Sequence, residues 1–178
     1  MTIALIREFD WQTVWPDGIE GKNVIDIACG TGHNGDWFAK RGANVHFIDR
    51  DLSLLPEHYH HTSQCLDLET GTTPILHRTQ FDLVMVVNYL HRPLVPWLAS
   101  LVVPNGLLLY ETFTLKQATI GRPRDPNFLL APNELANEFA NWHRLHYFEG
   151  RVATSTIQTP AFKAQLIAQR PPSSCDKV

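Results

Sequence analysis

The sequence predicts an α/β fold in which an open, mostly parallel β-sheet carries helices on both faces. Short aliphatic runs alternate with helix-like segments, which is the pattern of repeated β-α-β units. The run at 81–88 is apolar on both faces, as expected for a central parallel strand covered by helices. The 178 residues, 44% of them hydrophobic, suffice for one domain with a sizeable core.

The predicted elements follow one another closely. The first strand begins at residue 23, and the others are predicted at 43–48, 65–69, 81–88, 107–113, 144–149 and 161–168. Helical segments are predicted at 36–41, 52–55, 94–103 and 134–142, the last with Asn133 as its cap. The segment 114–132 is too long for a plain connector and is predicted to be a functional loop.

We expect one domain over 23–170, preceded by an arm or lid over 1–22 and followed by a flexible tail over 171–178. In the arm, Trp11 and Trp15 are four positions apart and would share one face of a helix. Two interpretations of these tryptophans remain open, namely packing in the interior and contact with a ligand.

Composition excludes several classes of protein. The net charge of −3 and the pI of about 6.3 give no general attraction to nucleic acid or anionic membranes. No apolar run approaches the roughly 20 residues that span a bilayer, and the first seven residues lack the features of a secretory signal. The three cysteines are widely spaced and do not form a disulfide framework. We therefore expect a cytoplasmic monomer or homodimer without nucleic-acid or membrane partners.

A glycine turn after the first strand is the main functional motif. Gly30, Gly32 and Gly35 satisfy G-x-G-x-x-G, which in dinucleotide-binding proteins brings a pyrophosphate to a helix N-terminus. The Walker phosphate loop needs Gly-Lys-Ser/Thr, which is absent here. Asp26 precedes the turn, where its carboxylate would repel a pyrophosphate. It would suit a cationic or amine-bearing ligand, or a water that bridges to one.

The spacing Asp26-x-Ala28-x-Gly30-x-Gly32, with Asp49 after the second strand, resembles motif I of the class I S-adenosylmethionine-dependent methyltransferases. The resemblance covers about 24–113. It implies a Rossmann-like methyltransferase fold, with a mostly parallel seven-stranded sheet and an antiparallel C-terminal strand. It also implies S-adenosyl-L-methionine as the cofactor.

The same resemblance assigns residues to the cofactor. It implies that Asp49 binds both ribose hydroxyls and that Asp67 and Leu68 lie at the adenine amino group. The full set of implied cofactor-binding positions is Asp26, Ala28, Cys29, Gly30, Thr31, Gly32, Asn34, Asp49, Arg50, Asp67, Leu68 and Asn88.

A narrower resemblance lies in the segments 88–94, 110–113, 121–123 and 128–130. They are similar to the tellurite-resistance-type methyltransferases and their small bacterial relatives. We do not carry the tellurite substrate over. The Asn-Pro-Pro-Tyr clamp of some methyltransferases is absent, and no Cys-Pro pair after the fourth strand indicates a cysteine nucleophile.

The acceptor side of the site is predicted from residues after the fourth strand and in the long loop. Asn88 ends that strand, where substrate-facing groups gather. His91 is nominated as a base near the methyl group, or as a loop histidine with only a structural role. Tyr89 packs on the adenosine or substrate, or in the core. Arg122, with Arg124, meets an anionic substrate or is simply solvated.

A metal site is not expected. His58, His60 and His61 lie close together in sequence, but no further donors of the kind that complete a ligand set are near them. Cys29 is expected to pack against the sheet as a small hydrophobic side chain, and Cys65 and Cys175 have no catalytic context.

The predicted function is methyl transfer by in-line displacement to a small molecule, such as a thiol, a metalloid oxyanion or a small amine. The sulfonium methyl is already activated, so a base is needed only when the nucleophile arrives protonated. Two alternatives remain open. One is a non-catalytic S-adenosylmethionine-binding protein, and the other is an NAD-dependent oxidoreductase, from the literal glycine fingerprint.

Overall fold

The structure, a computed structural model, describes residues 3–72, 74–76, 79–152 and 160–173. One sheet contains the seven strands β1 (Asn23–Ile27), β2 (Asn44–Asp49), β3 (Ser63–Cys65), β4 (Phe81–Val87), β5 (Val102–Phe113), β6 (His143–Val152) and β7 (Ala161–Gln169). The helices are α1 (Ile3–Glu8), α2 (His33–Ala39), α3 (Val95–Leu101) and α4 (Glu134–Glu138). None of the described helices is long and apolar enough to cross a membrane.

The strand order is β3-β2-β1-β4-β5-β7-β6. The pairs among β1 to β5 are parallel, and β7 runs antiparallel between β5 and β6. The predicted mostly parallel sheet with an antiparallel C-terminal strand is therefore confirmed. The chain moves outward from β1 to β3 and then returns to form β4 on the other side of β1. Parallel α/β sheets bind ligands at the carboxyl ends of the strands beside such a reversal.

Apolar side chains cover both faces of the sheet. In β4, Val84 and Val86 face a cluster that includes side chains of α3 and α4, whereas Leu83 and Met85 face a cluster that includes α1 and α2. All four residues are fully buried. The prediction that this strand is central and covered on both faces is thus confirmed.

The N-terminal arm packs against the second of these clusters. Trp11 and Trp15 are 6% and 7% exposed, and their stacked rings lie 5.3 Å apart. The indole N–H of Trp11 donates to the carbonyl of Ile6 at 2.7 Å. Both tryptophans therefore belong to the core, in a 3-10 helix (Trp11–Thr13) and the turn after it. The arm's predicted role as a lid stays a prediction.

The third strand differs from its prediction at 65–69. It covers Ser63–Cys65 and pairs with β2, and the chain then turns away. The reason is local, because the Asp67 carboxylate accepts the backbone N–H of Glu69 at 2.9 Å and closes a turn. The side chain at 67 is thereby kept at the strand end rather than within the sheet.

Three predicted helix boundaries were also wrong. The helix predicted at 36–41 begins three residues earlier, at His33, directly after the glycine turn. The helix predicted at 94–103 ends at Leu101, because Val102 already pairs with β4. The Pro-Asn-Gly segment at 104–106 lies inside β5, at the point where the pairing of β5 with β4 shifts register. The helix predicted at 134–142 ends at Glu138.

Asn133 does not cap α4 through its side chain. Its backbone is left-handed, with φ 59°, and its N–H donates to Glu149 instead. Glu134 bonds back to the N–H of Ala131 at 2.7 Å and so stabilises the entry to the helix. The residues 153–159 between the last two strands, the end of the tail at 174–178, and Cys175 with it, lie outside the described residues.

Candidate cofactor and active site

The glycine turn joins β1 to α2 through left-handed backbone. Ala28, Gly30 and Gly32 have φ values of 54°, 55° and 72°. A Cβ at Gly32 would lie 2.5 Å from the Leu55 side chain. This position therefore requires glycine for two reasons, the left-handed backbone and the lack of space for a side chain. A Cβ at Gly30 would meet nothing within 4 Å. The turn therefore packs closely at Gly32 and leaves open space beside Gly30.

Asp26 lies behind the turn. Its side chain is 1% exposed, and one carboxylate oxygen accepts the backbone N–H of Gly35 at 2.9 Å. Burial raises the pKa of Asp26 to about 7, against the opposing effect of that hydrogen bond. The residue fixes the first turn of α2, and any ligand would feel its charge through the turn or a bridging water.

Asp49 ends β2 and faces the turn from the neighbouring strand. One of its oxygens accepts the N–H of Gly30 at 2.8 Å, and the other accepts the N–H of Asp51 at 3.1 Å. Each carboxylate oxygen can accept a further bond. The half-buried side chain is thus held in one orientation with acceptor capacity left for hydroxyl groups.

A cavity of about 330 Å³ opens beside Asp49 at the carboxyl ends of the central strands. Its size is that of a small-molecule site. The residues that line it are Ala28, Asp49, Arg50, Leu66, Asp67, Leu68, Glu69, Tyr89 and Phe128.

Six of the predicted site residues line this cavity together, namely Ala28, Asp49, Arg50, Asp67, Leu68 and Tyr89. The other predicted positions lie outside its lining: Asp26, Cys29, Gly30, Thr31, Gly32, Asn34, Asn88, His91 and Arg122. Among them, Cys29 is buried in the core, where burial raises the pKa of its thiol, and Asn34 has a buried side-chain oxygen with no partner in the described part of the chain. The cavity is therefore lined mainly by residues at the strand ends rather than by the glycine turn.

Phe128 is a cavity residue that the sequence did not single out. It is 47% exposed although it is a large aromatic, and it comes from the long loop, in the 3-10 helix Pro126–Phe128. Arg92 holds this segment, donating to the carbonyls of Asn127 at 3.0 Å and Leu129 at 2.9 Å. The same guanidinium binds both carboxylate oxygens of Glu134, at 2.6 and 2.9 Å. We call these contacts the Arg92 clamp.

Comparisons with known proteins agree on the fold. The structure is similar to TehB from Haemophilus influenzae, with a TM-score of 0.68 and 17% identity over 84% of this chain and 58% of that one. It is also similar to the N-methyltransferase NodS from Bradyrhizobium japonicum, with a TM-score of 0.64 and 12% identity over 90% of this chain and 91% of that one. A third neighbour is an S-adenosylmethionine-dependent methyltransferase from Mesorhizobium loti, with a TM-score of 0.64, 16% identity and coverage of 90% and 97%.

The fold is that of the class I S-adenosylmethionine-dependent methyltransferases.

Sequence relatives are named methyltransferases too. The ubiquinone biosynthesis O-methyltransferase of Coxiella burnetii is 30% identical over 107 residues, which cover 53% of this chain and 44% of the relative. The protein of the same name from Actinobacillus pleuropneumoniae is 29% identical over 117 residues, covering 56% and 50%. The chain spans about half the length of these curated relatives. No protein-family model matches it.

On this methyltransferase fold, Tyr89 lies next to the end of β4 and is half-buried. Its hydroxyl has no hydrogen-bond partner among the described residues. Burial, together with the nearby carboxylate of Glu69, raises the pKa of Tyr89 well above its usual value. The phenol therefore stays protonated at neutral pH, where it can donate a hydrogen bond and cannot act as a base.

His91 and Arg122 lie apart from the cavity lining. His91 is half-buried and precedes the 3-10 helix Arg92–Leu94. Arg122 is exposed, lines a separate groove with Pro123, Arg124 and Asp125, and contributes its carbonyl to a bond from Gln117. The structure does not bring either side chain to Asp49.

A buried polar cluster next to Asn88 was missed by the sequence analysis. The Lys163 ammonium lies 2.6 Å from a carboxylate oxygen of Glu111 and 2.7 Å from the side-chain oxygen of Asn88. Gln165 donates to the other oxygen of Glu111 at 2.8 Å. The available signal was a lysine and a glutamine, Lys163 and Gln165, within the mostly apolar segment that forms β7.

In the parts of the chain that the structure describes, no group of three or more His, Cys, Asp or Glu side chains is placed to hold a metal ion. The side chain of His61 lies outside the described set.

Gly30→Ala and Gly21→Ala make a matched pair that tests the open space at the turn. Both glycines have positive φ, 55° and 75°, and a Cβ at either would meet nothing within 4 Å. Each substitution is expected to cost about 1–2 kcal/mol of stability from left-handed backbone strain. Only Gly30→Ala, beside the cavity, is expected to weaken S-adenosylhomocysteine binding, by roughly tenfold or more. Calorimetric titration and thermal unfolding of both variants check this, and equal affinities would contradict it.

Proposed function

We propose that this protein is an S-adenosylmethionine-dependent methyltransferase that acts on a small molecule. The observation that carries the proposal is the fixed carboxylate of Asp49, tied to the glycine turn at 2.8 Å and facing a cavity of about 330 Å³. The fold of the solved neighbours and the names of the sequence relatives support it. The open space beside Gly30 fits a cofactor that passes close to the backbone.

The lining residues divide between the two parts of the nucleoside in this proposal. Asp49 accepts hydrogen bonds from the ribose hydroxyls, and Asp67 with the backbone at Leu68 binds the adenine edge. Phe128 and Tyr89 provide aromatic surface for the base. The predicted cofactor positions in the glycine turn surround the amino-acid end of the cofactor, with the buried Asp26 favouring its cationic amine.

When bound, S-adenosylmethionine supplies a sulfonium methyl that is already electrophilic. The residues of the chain then have to bind and orient the acceptor and exclude water. His91 serves as the base if the acceptor arrives protonated. Arg122 contacts the acceptor only if the long loop brings it closer than it lies here.

The acceptor is a small molecule, with thiols, metalloid oxyanions and small amines as the classes proposed from the sequence. The relatives named as ubiquinone biosynthesis O-methyltransferases add an oxygen nucleophile to these classes. A cytoplasmic location and a monomeric or homodimeric state remain predictions.

Calorimetric titration with S-adenosylhomocysteine and with NAD separates the proposed function from the oxidoreductase alternative. We expect binding of the former and no heat from the latter, and the opposite result would reject the proposal. Release of S-adenosylhomocysteine in a screen of thiols, oxyanions, phenols and amines then distinguishes an enzyme from a non-catalytic binding protein.

His91→Ala tests the acceptor side of the site. If His91 acts as a base, its loss is expected to lower turnover about 10²-fold or more. Because His91 lies outside the lining of the nucleoside cavity, the dissociation constant of S-adenosylhomocysteine is expected to stay within about threefold, a change of less than about 0.7 kcal/mol. Equal losses in turnover and cofactor affinity would place His91 with the cofactor instead.

A further inference from the structure

We propose that Lys163 and Glu111 are positioning residues that orient the side-chain amide of Asn88 towards the methyl acceptor. The acceptor is then a molecule with a hydrogen-bond-accepting oxygen, such as a carboxylate, phenolate or oxyanion, beside its reacting atom. This inference rests on the proposed function and narrows it to one class of acceptor.

The ion pair between Lys163 and Glu111 is almost completely removed from solvent. The side chains are 4% and 0% exposed, with the two charged atoms 2.6 Å apart. Burying two charges costs several kcal/mol of desolvation per ion, so such a pair is a poor source of stability. Gln165 satisfies the second carboxylate oxygen and fixes Glu111 further. A role in positioning Asn88 accounts for the presence of this buried ion pair, because apolar side chains could fill the same part of the core.

The lysine determines which way the Asn88 amide is turned. An ammonium group only donates hydrogen bonds, so the atom of Asn88 that lies 2.7 Å from it has to be the carbonyl oxygen. The NH₂ end of the planar amide therefore points away from Lys163. Within the described residues, this NH₂ group donates no hydrogen bond. Asn88 is exposed, so these two donors are available to a ligand.

The backbone of Asn88 is fixed as firmly as its side chain. Its φ is 59°, a left-handed conformation, and its N–H donates to the carbonyl of Glu111 at 2.8 Å. Because Ile27 pairs with Val86 in the sheet, Asn88 lies beside the start of the glycine turn. It also directly precedes Tyr89, which lines the nucleoside cavity. The donors thus lie at the edge of the proposed cofactor site, on the side of β5 and β7.

An amide NH₂ group selects among acceptor classes. A carboxylate, phenolate or oxyanion can accept its hydrogen bonds, whereas an ammonium group cannot, and a neutral aromatic amine or a thiol accepts only weakly. A site built to hydrogen-bond its substrate discriminates strongly against analogues that lack the partner group. The geometry therefore favours oxygen-bearing acceptors over simple amines and thiols.

Salicylate, aniline and thiophenol are suitable probes because each contains one benzene ring and only salicylate carries a hydrogen-bond-accepting oxygen beside its reacting group. Binding of S-adenosylhomocysteine is measured first by calorimetry, so a failed proposed function is recognised separately. Each probe is then titrated into the ¹⁵N-labelled protein that has been loaded with S-adenosylhomocysteine. The final concentration is about 10 mM, because the weakest dissociation constants of single fragments are of this order. We expect salicylate to shift the side-chain NH₂ resonances of Asn88, and aniline and thiophenol to leave them unchanged. No shift with salicylate, or an equal shift with aniline, would overturn the inference.

Asn88→Asp removes the two N–H donors of the side-chain amide. Aspartate has nearly the same shape as asparagine, can still contact Lys163 and tolerates a left-handed backbone. The substitution is expected to weaken salicylate about tenfold or more, the scale of one lost hydrogen bond, when both proteins are saturated with S-adenosylhomocysteine. Unchanged salicylate affinity would reject the role of Asn88.

The double variant Lys163→Met, Glu111→Gln tests the positioning residues without leaving a buried charge unpaired, because Gln165 can still donate to an amide at 111. We expect the Asn88 NH₂ resonances to move and salicylate affinity to fall about tenfold. Lys116→Met, on an exposed lysine, is the control and should change neither. If the double variant does not fold, the Asn88→Asp result decides; if it folds and the resonances stay in place, Lys163 and Glu111 do not orient the amide.

Discussion

Asp49→Ala is expected to weaken the binding of S-adenosylhomocysteine by about 1–3 kcal/mol, which corresponds to roughly 5- to 150-fold. Two losses combine in this result. In the proposed cofactor site the ribose hydroxyls lose a charged acceptor, and the N–H of Gly30 loses the carboxylate that holds it at 2.8 Å. The affinity is measured by calorimetric titration, and circular dichroism checks that the variant stays folded.

Asp51→Ala is the matched control for this substitution. Asp51 lies two residues further on, is exposed, and accepts the N–H of Ser53 at 2.9 Å. It does not line the cavity, so its loss is expected to change the affinity less than about threefold. A comparable loss in both variants would mean that general negative charge, rather than the position of Asp49, determines binding.

Asp26→Asn is expected to stabilise the unliganded protein at pH 8 by about 2–4 kcal/mol, and to have little effect below pH 4. Burial raises the pKa of Asp26 from its ordinary 3.8 to about 7. Between these two values the folded chain keeps a proton that the unfolded chain releases. The free energy of unfolding of the parent therefore falls as the pH rises through this window, and it levels off above pH 7. The asparagine variant does not titrate and avoids this loss.

Urea unfolding of the parent and the variant at several pH values between 4 and 8 measures this difference. Asparagine keeps an oxygen that can accept the N–H of Gly35, so the turn is expected to survive. Asp82→Asn provides the comparison, because that carboxylate also accepts a backbone N–H, from Asn23, but is only half-buried. Because the gain at position 26 depends on complete burial, the stabilisation at pH 8 is expected for Asp26→Asn and not for Asp82→Asn. A variant at 26 that is destabilised at pH 8 would show that the charge itself supports the turn.

The part of the site that lies on the strand ends was predicted from the sequence. Asp49 follows a short apolar run, whereas Asp67 and Leu68 were implied by the family resemblance, and parallel strands bring such positions to one edge. The seven-stranded sheet and its antiparallel C-terminal strand also followed from the family resemblance. The boundary of β3 was wrong because a side-chain hydrogen bond at Asp67 competes with strand pairing, which apolar periodicity does not register.

The parts that the sequence did not predict depend on partners far apart in the chain. Phe128 reaches the cavity because Arg92 binds the carbonyls on either side of it, 35 and 37 residues away in sequence. Lys163 meets Glu111 across 52 residues, through the pairing of β5 with β7. Neither pairing leaves a local pattern, so only the folded structure brings these residues into the site.

The Arg92 clamp also has a kinetic consequence. Two hydrogen bonds from the Arg92 guanidinium go to the segment around Phe128 and two go to Glu134 in α4, so this wall of the cavity cannot swing away from α4 without breaking one of the two pairs. Exchange of spent for fresh cofactor is therefore expected to proceed past the exposed Arg50, which also lines the cavity. If turnover is limited by the departure of S-adenosylhomocysteine, loosening the clamp would make the enzyme faster at saturating cofactor while it binds that cofactor less tightly.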